Sequence, residues 1–147
     1  KRCMPIETSP DDICFVDSNV WLYTTIVGND ETKTEKATVL VRNNKSLIRI
    51  STQVVNEVSI NLLRTKRFSE DQIRAVVGSF FRDYEIVPIV EDTLLKASRL
   101  REKYSFSFWD SIISSTALQG KAKTLYSEDM QDGLVVEETM KIVNPFK

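Results

Sequence analysis

The sequence predicts an α/β sandwich around a mostly parallel sheet of about five strands. Short apolar runs alternate with helical patterns along the chain, which is typical of strands joined by crossover helices. The runs are too uniformly apolar for one face to meet water, so helices should cover both faces of the sheet. A length of 147 residues, with 41% hydrophobic and 28% charged side chains, suits one globular domain. We therefore expect a tail over residues 1–12, where periodicity is absent, and a single domain over residues 13–147.

The elements of the first half are marked by start and stop signals. An apolar run forms the first strand and ends at Asp17, and the helical pattern behind it stops at Gly28. Ser51 is placed to cap the helix after the second strand, and the pattern Ser69-x-x-Gln72 forms a capping box for the next helix. The predicted order is a strand at 13–16, helices at 20–27 and 31–43, a strand at 47–50, and helices at 51–64 and 69–84.

The alternation continues in the second half without a repeat or a low-complexity segment. The predicted order is a strand at 86–89, helices at 91–104 and 107–120, and strands at 124–127 and 141–143. In a sheet of this kind, ligands bind at the carboxyl ends of the strands, near the point where strand order reverses. Polar residues that directly follow strands are therefore the first candidates for a functional site.

The composition excludes several kinds of site. The sequence has no His, and its two cysteines, Cys3 and Cys14, form no CxxC pair, which argues against zinc sites and against thiol or serine–histidine catalysis. Twenty Lys and Arg nearly balance twenty-one Asp and Glu, so a polyanion would have to bind a local patch. No apolar run approaches the roughly 18 residues of a membrane span and no signal-peptide pattern is present, so we expect a cytoplasmic protein.

Five carboxylates lie where such a sheet would collect them. Asp17 follows the first strand, and Asp129 and Asp132 follow the fourth. Glu57 lies on the flank of the apolar face of its helix, at about 100° per residue, and Asp110 lies about a quarter turn from the centre of another apolar stripe. We expect these side chains to reach a shared cleft at the carboxyl edge of the sheet.

Each acid also has a purely structural interpretation. Asp17 could cap the first helix, and Asp110 completes a Ser-x-x-Asp capping box. Glu57 could be a solvated flank residue, and Asp129 and Asp132 are typical turn formers. Together, however, they require a cation, because two carboxylates about 4.5 Å apart repel by roughly 3–4 kcal/mol at an effective dielectric constant near 20. Oxygen ligands without His or Cys favour Mg²⁺ or Mn²⁺.

Four segments, in this order, resemble the PIN-domain family of metal-dependent ribonucleases, and in particular its VapC-like toxins of toxin–antitoxin pairs. They are residues 16–20, the helix that carries Glu57, residues 108–111 and residues 125–133. The resemblance implies a three-layer α/β/α sandwich with strand order 3-2-1-4-5. Gly133 stands where the family often has Phe. This difference leaves open whether Asp129 or Asp132 is the fourth acid. The implied metal-binding and catalytic acids are Asp17, Glu57, Asp110 and Asp129, with Asn19, Ser127 and Asp132 in supporting positions.

The resemblance implies hydrolysis of RNA phosphodiester bonds by metal-activated water, with Mg²⁺ or Mn²⁺ as the cofactor. The implied partners are an RNA substrate, a cognate antitoxin and a second copy of the chain in a homodimer. Trp21, Tyr23 and Trp109 are expected to pack in the core rather than to stack on bases. The cations that could contact the RNA backbone, or simply complement helix ends, are Lys45, Arg49, Arg64, Lys66 and Arg67.

Two other functions stay open at this point. A phosphoacceptor receiver domain is also a small α/β sandwich, but Ser18 stands where it would carry a second acid, and the third strand ends at Pro88 and Ile89 without an acceptor Asp. A catalytically silent PIN-like module that binds RNA or a protein would keep the fold. RNA cleavage with and without EDTA distinguishes the enzyme from the silent module, and labelling by acetyl phosphate would indicate the receiver.

Overall fold

A computed structural model describes residues 12–26 and 28–147, so the expected tail lies, apart from Asp12, outside the described residues. The strands are β1 (Cys14–Val16), β2 (Ile48–Ser51), β3 (Glu85–Val87), β4 (Thr124–Tyr126), β5 (Val135–Val136) and β6 (Met140–Val143). The helices are α1 (Ser18–Thr25), α2 (Glu31–Asn43), α3 (Thr52–Arg64), α4 (Glu70–Asp83), α5 (Glu91–Tyr104) and α6 (Phe108–Gln119). Every element predicted from the sequence is present, with its ends shifted by a few residues at most.

The strands form one sheet in the order β3-β2-β1-β4-β6-β5. All neighbours pair in parallel except β5, which runs antiparallel to β6. The mostly parallel sheet is thus confirmed, and the strand predicted at 141–143 is β6, in the fifth position. The edge strand β5 was not predicted, because two residues between turns are too short to show a period of two.

The central strand β1 explains why the runs are uniformly apolar. Its three residues are buried, and they pair with β2 on one side and β4 on the other. The crossovers from β1 to β2 and from β2 to β3 move in one direction, while the crossover from β3 to β4 moves back across the sheet. Right-handed crossovers therefore place α1–α4 on one face and α5 and α6 on the other, in agreement with the packing of the helices within each group. The three-layer α/β/α sandwich is confirmed.

Side-chain caps set the starts of several helices. Ser51 Oγ accepts from the Val54 N–H at 3.3 Å at the start of α3, and the capping box of Ser69 and Gln72 opens α4 as predicted. α6 is buried from Ser111 to Ala117, so it lies inside the fold instead of on its surface. Among the described residues, no helix has the length and apolarity needed to cross a membrane.

Candidate active site

Asp17 lies at the carboxyl end of β1, in the centre of the sheet. Its backbone N–H donates to the carbonyl of Tyr126 at 2.9 Å, which joins the ends of β1 and β4. The carboxylate is buried, and its Oδ1 accepts from the Ser18 N–H at 2.8 Å, so Asp17 does cap α1. Capping occupies only one of the two oxygens. Oδ2 accepts from the Ser127 hydroxyl at 3.0 Å.

The electrostatic environment of Asp17 disfavours its charge. Burial raises the pKa of Asp17 from 3.8 to about 6. The hydrogen bonds from the Ser18 N–H and the Ser127 hydroxyl lower this pKa, while the negative charges of Glu57 and Asp110 raise it. A carboxylate that is buried with like charges nearby is destabilised until a cation or a proton joins it.

Glu57 extends from the flank of α3, as its helical position predicts. Its Oε2 accepts from the Ser18 hydroxyl at 2.7 Å, and its Oε1 accepts from the Gln53 side-chain amide at 2.7 Å. Ser18 therefore links two of the acids, since its N–H binds Asp17 and its hydroxyl binds Glu57. Neither Ser18 nor Gln53 was identified from the sequence. The available signal was the position of Gln53 one helical turn before Glu57, where side chains on one face meet.

Asp110 lies in the first turn of α6, on the other side of the sheet from α3. Ser107 Oγ accepts from the Asp110 N–H at 3.1 Å, so the capping pattern read from the sequence is present. The side chain nevertheless belongs to the acidic cluster electrostatically. Partial burial raises the pKa of Asp110, hydrogen bonding with Ser107 lowers it, and the charges of Asp129 and Glu57 raise it.

Asn19 connects the start of α1 to the turn after β4. Its Nδ2 lies 3.1 Å from Asp129 Oδ2 and 3.4 Å from Asp17 Oδ2, and its Oδ1 accepts from the Glu128 N–H at 3.2 Å. Asp132 lies outside this network, exposed, and accepts from the backbone N–H of residue 144 at 2.8 Å. The structure therefore brings Asp129 to the other three acids and leaves Asp132 apart from them.

The donor set fits a hard divalent cation with retained waters. Within the described part of the chain, no Lys or Arg forms an ion pair with any of the four acids that the structure brings together. Over residues 12–26 and 28–147, no three carboxylates or thiols lie close enough to hold an ion by themselves. Mg²⁺ usually takes one or two protein carboxylates and keeps several waters, so it does not need three carboxylates in direct contact. All the candidate donors are oxygens, as that ion prefers.

The predicted RNA-contacting cations do not all lie near these acids. Arg49 donates to the carbonyl of Gly120 at 2.6 Å and pairs with Glu85 at 3.2 Å. Gly120 follows α6 at the end opposite to Asp110, and Lys45 lies near Arg49 at the amino end of the sheet. Lys45 and Arg49 therefore lie away from the acids, and Arg49 complements the end of α6, which is the alternative that the sequence left open. Arg64, by contrast, lines an open groove of about 820 Å³ that Glu57 and Trp109 also line.

The aromatic side chains divide into buried and exposed ones. Trp21 is 4% exposed and donates its Nε1–H to the Val16 carbonyl at 3.0 Å, which confirms its predicted place in the core. Trp109 is 61% exposed, so the prediction that it packs in the core is wrong. The apolar stripe of α6 holds only from Ile112 onwards, because the first turn of this helix projects beyond the buried part of the fold.

Comparison with known proteins adds an independent finding. The model of the PIN domain family matches residues 14–131. A toxin–antitoxin complex from Klebsiella pneumoniae is 19% identical, with a TM-score of 0.67 over 90% of this chain and 97% of that chain. VapC20 of Mycobacterium tuberculosis, described as a sarcin-ricin loop cleaving toxin, is 16% identical, with a TM-score of 0.63 over 76% of this chain and 86% of that chain. FitAcB from Neisseria gonorrhoeae is 14% identical, with a TM-score of 0.62 over 91% of this chain and 99% of that chain.

No curated protein sequence matches the chain. The similarity to the solved structures, at these identities, concerns the fold. The match to the family model spans the segments that carry all four clustered acids, and it overturns the alternative of a receiver domain.

Proposed function

The chain belongs to the PIN-domain family, and from that premise we propose that it is a Mg²⁺- or Mn²⁺-dependent endoribonuclease and the toxin of a toxin–antitoxin pair. The observation that supports this most is the grouping of four carboxylates, from four separate parts of the fold, without a paired Lys or Arg among the described residues. Stability alone does not favour this arrangement, because burial and the neighbouring negative charges raise the pKa values of Asp17 and Asp110.

In this proposal the four acids hold the cation together, some of them through the waters that it retains, and neutral donors keep the acids in place. Ser127 and Asn19 orient Asp17, and Asn19 also holds Asp129. Ser18 and Gln53 orient Glu57. When bound, a divalent cation supplies an activated water and neutralises negative charge on the scissile phosphate. The acids that we assign to cation binding and catalysis are Asp17, Glu57, Asp110 and Asp129.

The proposed partners are an RNA substrate in the cytoplasm, a cognate antitoxin and a second copy of the chain. The similar solved structures include toxin–antitoxin complexes, which supports an antitoxin that covers the acids. Large apolar side chains of α3 and α5 are exposed on either side of the groove next to Glu57, among them Ile60 and Leu94. Exposed apolar surface of this kind is typical of interfaces, and we place self-association there.

The decisive experiment is cleavage of mixed RNAs by the purified protein, with Mg²⁺, with Mn²⁺ and with EDTA. We expect cleavage that EDTA stops and that Asp110→Asn abolishes, because that substitution removes a charge from the cluster while keeping its shape. Glu85→Gln is the matched control, since Glu85 lies at the opposite end of the sheet. RNA binding without cleavage under all conditions would indicate the silent module.

The partners have separate tests. A short reading frame next to the gene should encode a protein that co-purifies with this chain and inhibits cleavage. Light scattering should give the mass of a dimer for the wild type and the mass of a monomer for Leu94→Glu. A monomeric wild type would remove the dimer from the proposal and leave the nuclease unaffected.

A further inference from the structure

The residue before Asp129 is held through all three of its polar groups. The Glu128 N–H donates to Asn19 Oδ1 at 3.2 Å, and the Glu128 carbonyl accepts from Asn144 Nδ2 at 3.4 Å. The Glu128 carboxylate forms an ion pair with Lys33. A turn residue with partners for its amide, carbonyl and side chain has little freedom to move, and Asp129 is attached directly to it.

Lys33 is itself held tightly. Its ammonium lies 5.4 Å from the centre of the Tyr23 ring and 5.6 Å from the centre of the Phe146 ring, both within cation–π distance. Tyr23 and Phe146 pack edge to face at 5.0 Å. Lys33 therefore lies between a helix and the C-terminal segment, and it fixes Glu128 from that position.

Asp132 fixes the same C-terminal segment. Its Oδ1 accepts from the Asn144 N–H at 2.8 Å, and Asn144 Oδ1 accepts from the Phe146 N–H at 2.9 Å. Asn144 is the residue that donates to Glu128, and Phe146 is the residue that packs on Lys33. Asp132 is thus connected to Glu128 by two routes. One runs through Asn144, and the other runs from Asn144 through Phe146 to Lys33. Accepting a backbone hydrogen bond requires an oxygen atom but no negative charge.

We propose that Lys33 and Asp132 are positioning residues that hold Glu128 and thereby fix Asp129, and that Asp132 is not a ligand of the cation. The inference deepens the proposed function and rests on it, because Asp129 is a ligand only if that function is correct. Loss of the negative charge of a carboxylate ligand weakens cation binding strongly, whereas a positioning acceptor keeps its function as long as it keeps its oxygen. Substitution by Asn separates the two, since it keeps the oxygen and removes the charge.

The first test measures Mn²⁺ affinity by calorimetry on the full chain. Residues that orient metal ligands typically contribute about 10–100-fold in affinity, so we expect Asp129→Asn, which removes a ligand charge, to weaken binding by about 100-fold or more. Because Asp132 acts through intermediate residues, we expect Asp132→Ala to weaken binding by about 3–10-fold and Asp132→Asn by less than about 2-fold. A loss in Asp132→Asn that equals the loss in Asp129→Asn would overturn the proposal.

The second test exchanges the lysine. Lys33→Met removes the charge and keeps the length, and should weaken Mn²⁺ binding by about 3–10-fold, while Lys33→Arg restores it. Lys36→Met is the matched control, because Lys36 is an exposed lysine of the same helix, and it should bind like the wild type. The combined loss in Lys33→Met with Asp132→Ala should be smaller than the product of the single losses, because both residues act through Glu128. Fully independent losses contradict the proposal.

A measurement without metal distinguishes failure of this inference from failure of the proposed function. Hydrogen exchange of the Glu128 amide should be faster in Asp132→Ala and Lys33→Met, and unchanged in Asp132→Asn and Lys33→Arg. If the wild type binds no Mn²⁺ but the exchange rates follow this order, the proposed function fails and the positioning contacts stand. Equal exchange rates in all variants overturn the positioning role. If Asp132→Ala does not fold, two comparisons still decide the question. One is Asp132→Asn against Asp129→Asn, and the other is Lys33→Met against Lys33→Arg.

Discussion

Both ends of the parallel sheet carry charged side chains, but the two ends arrange them in opposite ways. At the amino end, Arg49 pairs with Glu85 at 3.2 Å and Arg82 pairs with Asp83 at 3.1 Å. At the carboxyl end, Asp17, Glu57 and Asp129 accept hydrogen bonds from hydroxyl, amide and backbone N–H groups. The ion pair that borders the cluster uses Glu128, which is not one of the four acids.

This difference is the one we expect between charges that stabilise a fold and charges that bind a ligand. Acids that have their own counter-charges lower the energy of the folded chain or leave it unchanged. Acids grouped without a counter-charge raise it, and they persist only where a ligand compensates for them. The carboxyl end of a parallel sheet is also where ligands of α/β proteins bind. The predictions below test whether the two ends behave as differently as this contrast requires.

The largest expected effect is on cleavage. Asp17→Asn and Asp110→Asn should each lower the cleavage rate by about 100-fold or more, because each removes negative charge that would hold the cation against the substrate. Glu85→Gln at the amino end should leave the rate unchanged. Cleavage rates measured at saturating Mg²⁺, and again with Mn²⁺, check this prediction. If Glu85→Gln lowers the rate as much as the two Asp substitutions do, the two ends of the sheet do not differ in function.

The second effect concerns metal binding to the folded protein. A ligand that binds only the native state, at 100 times its Kd, stabilises it by about 2.7 kcal/mol. For a chain of this length we expect Mn²⁺ to raise Tm by about 5–10 °C. Differential scanning fluorimetry measures the shift in the wild type and in Glu85→Gln, where it should persist, and in Asp110→Asn, where it should disappear. A shift that survives in Asp110→Asn would locate the ion elsewhere.

The third effect is the pH dependence of metal-free stability. The folded-state pKa of Asp17 is raised by burial from 3.8 to about 6. Its contribution to stability is therefore complete below about pH 4 and is lost as the pH rises through about 6. Asp17→Asn should be more stable than the wild type at pH 7 by about 2–3 kcal/mol, and the gap should close towards pH 4.

Denaturant unfolding in EDTA between pH 4 and pH 8 measures this gap. For Asp83, at the other end of the sheet, the pKa shift and the resulting pH dependence of stability have the opposite direction. Hydrogen bonding with Arg82 lowers the pKa of Asp83, so its small contribution is present at neutral pH and is lost as the pH falls. A large loss of metal-free stability in Asp17→Asn at pH 7 would show that capping of α1 outweighs the relief of repulsion.

The smallest effect is at the amino end. Arg49→Met removes a hydrogen bond to the Gly120 carbonyl and an ion pair with Glu85, and we expect it to lower the free energy of unfolding by about 1–2 kcal/mol. Cleavage by the folded variant should equal that of the wild type. If the fully folded variant instead cleaves RNA more slowly than the wild type, Arg49 is a residue that contacts RNA.

Asp17 and Glu57 could be identified from the sequence because local pattern places them. A buried apolar run shows where β1 ends, and helical periodicity shows which side of α3 Glu57 occupies. The same reasoning failed for Trp109, since periodicity reports which residues share a face but not where along its length a helix leaves the core. Local pattern also could not decide between the two interpretations of Arg49, because its partner Gly120 is distant in the chain.

Fold class, the positions of every strand except β5 and the set of candidate acids follow from residues near one another in the chain, because strand burial and helix capping are local properties of the sequence pattern. The roles of Asp129 and Asp132 do not follow from it, since both lie in one turn three residues apart. Their orientations depend on Asn19, 110 residues before Asp129, and on Asn144, in the segment after β6. Side chains in a turn take their direction from whatever packs against them, and those neighbours are assembled only when the chain has folded.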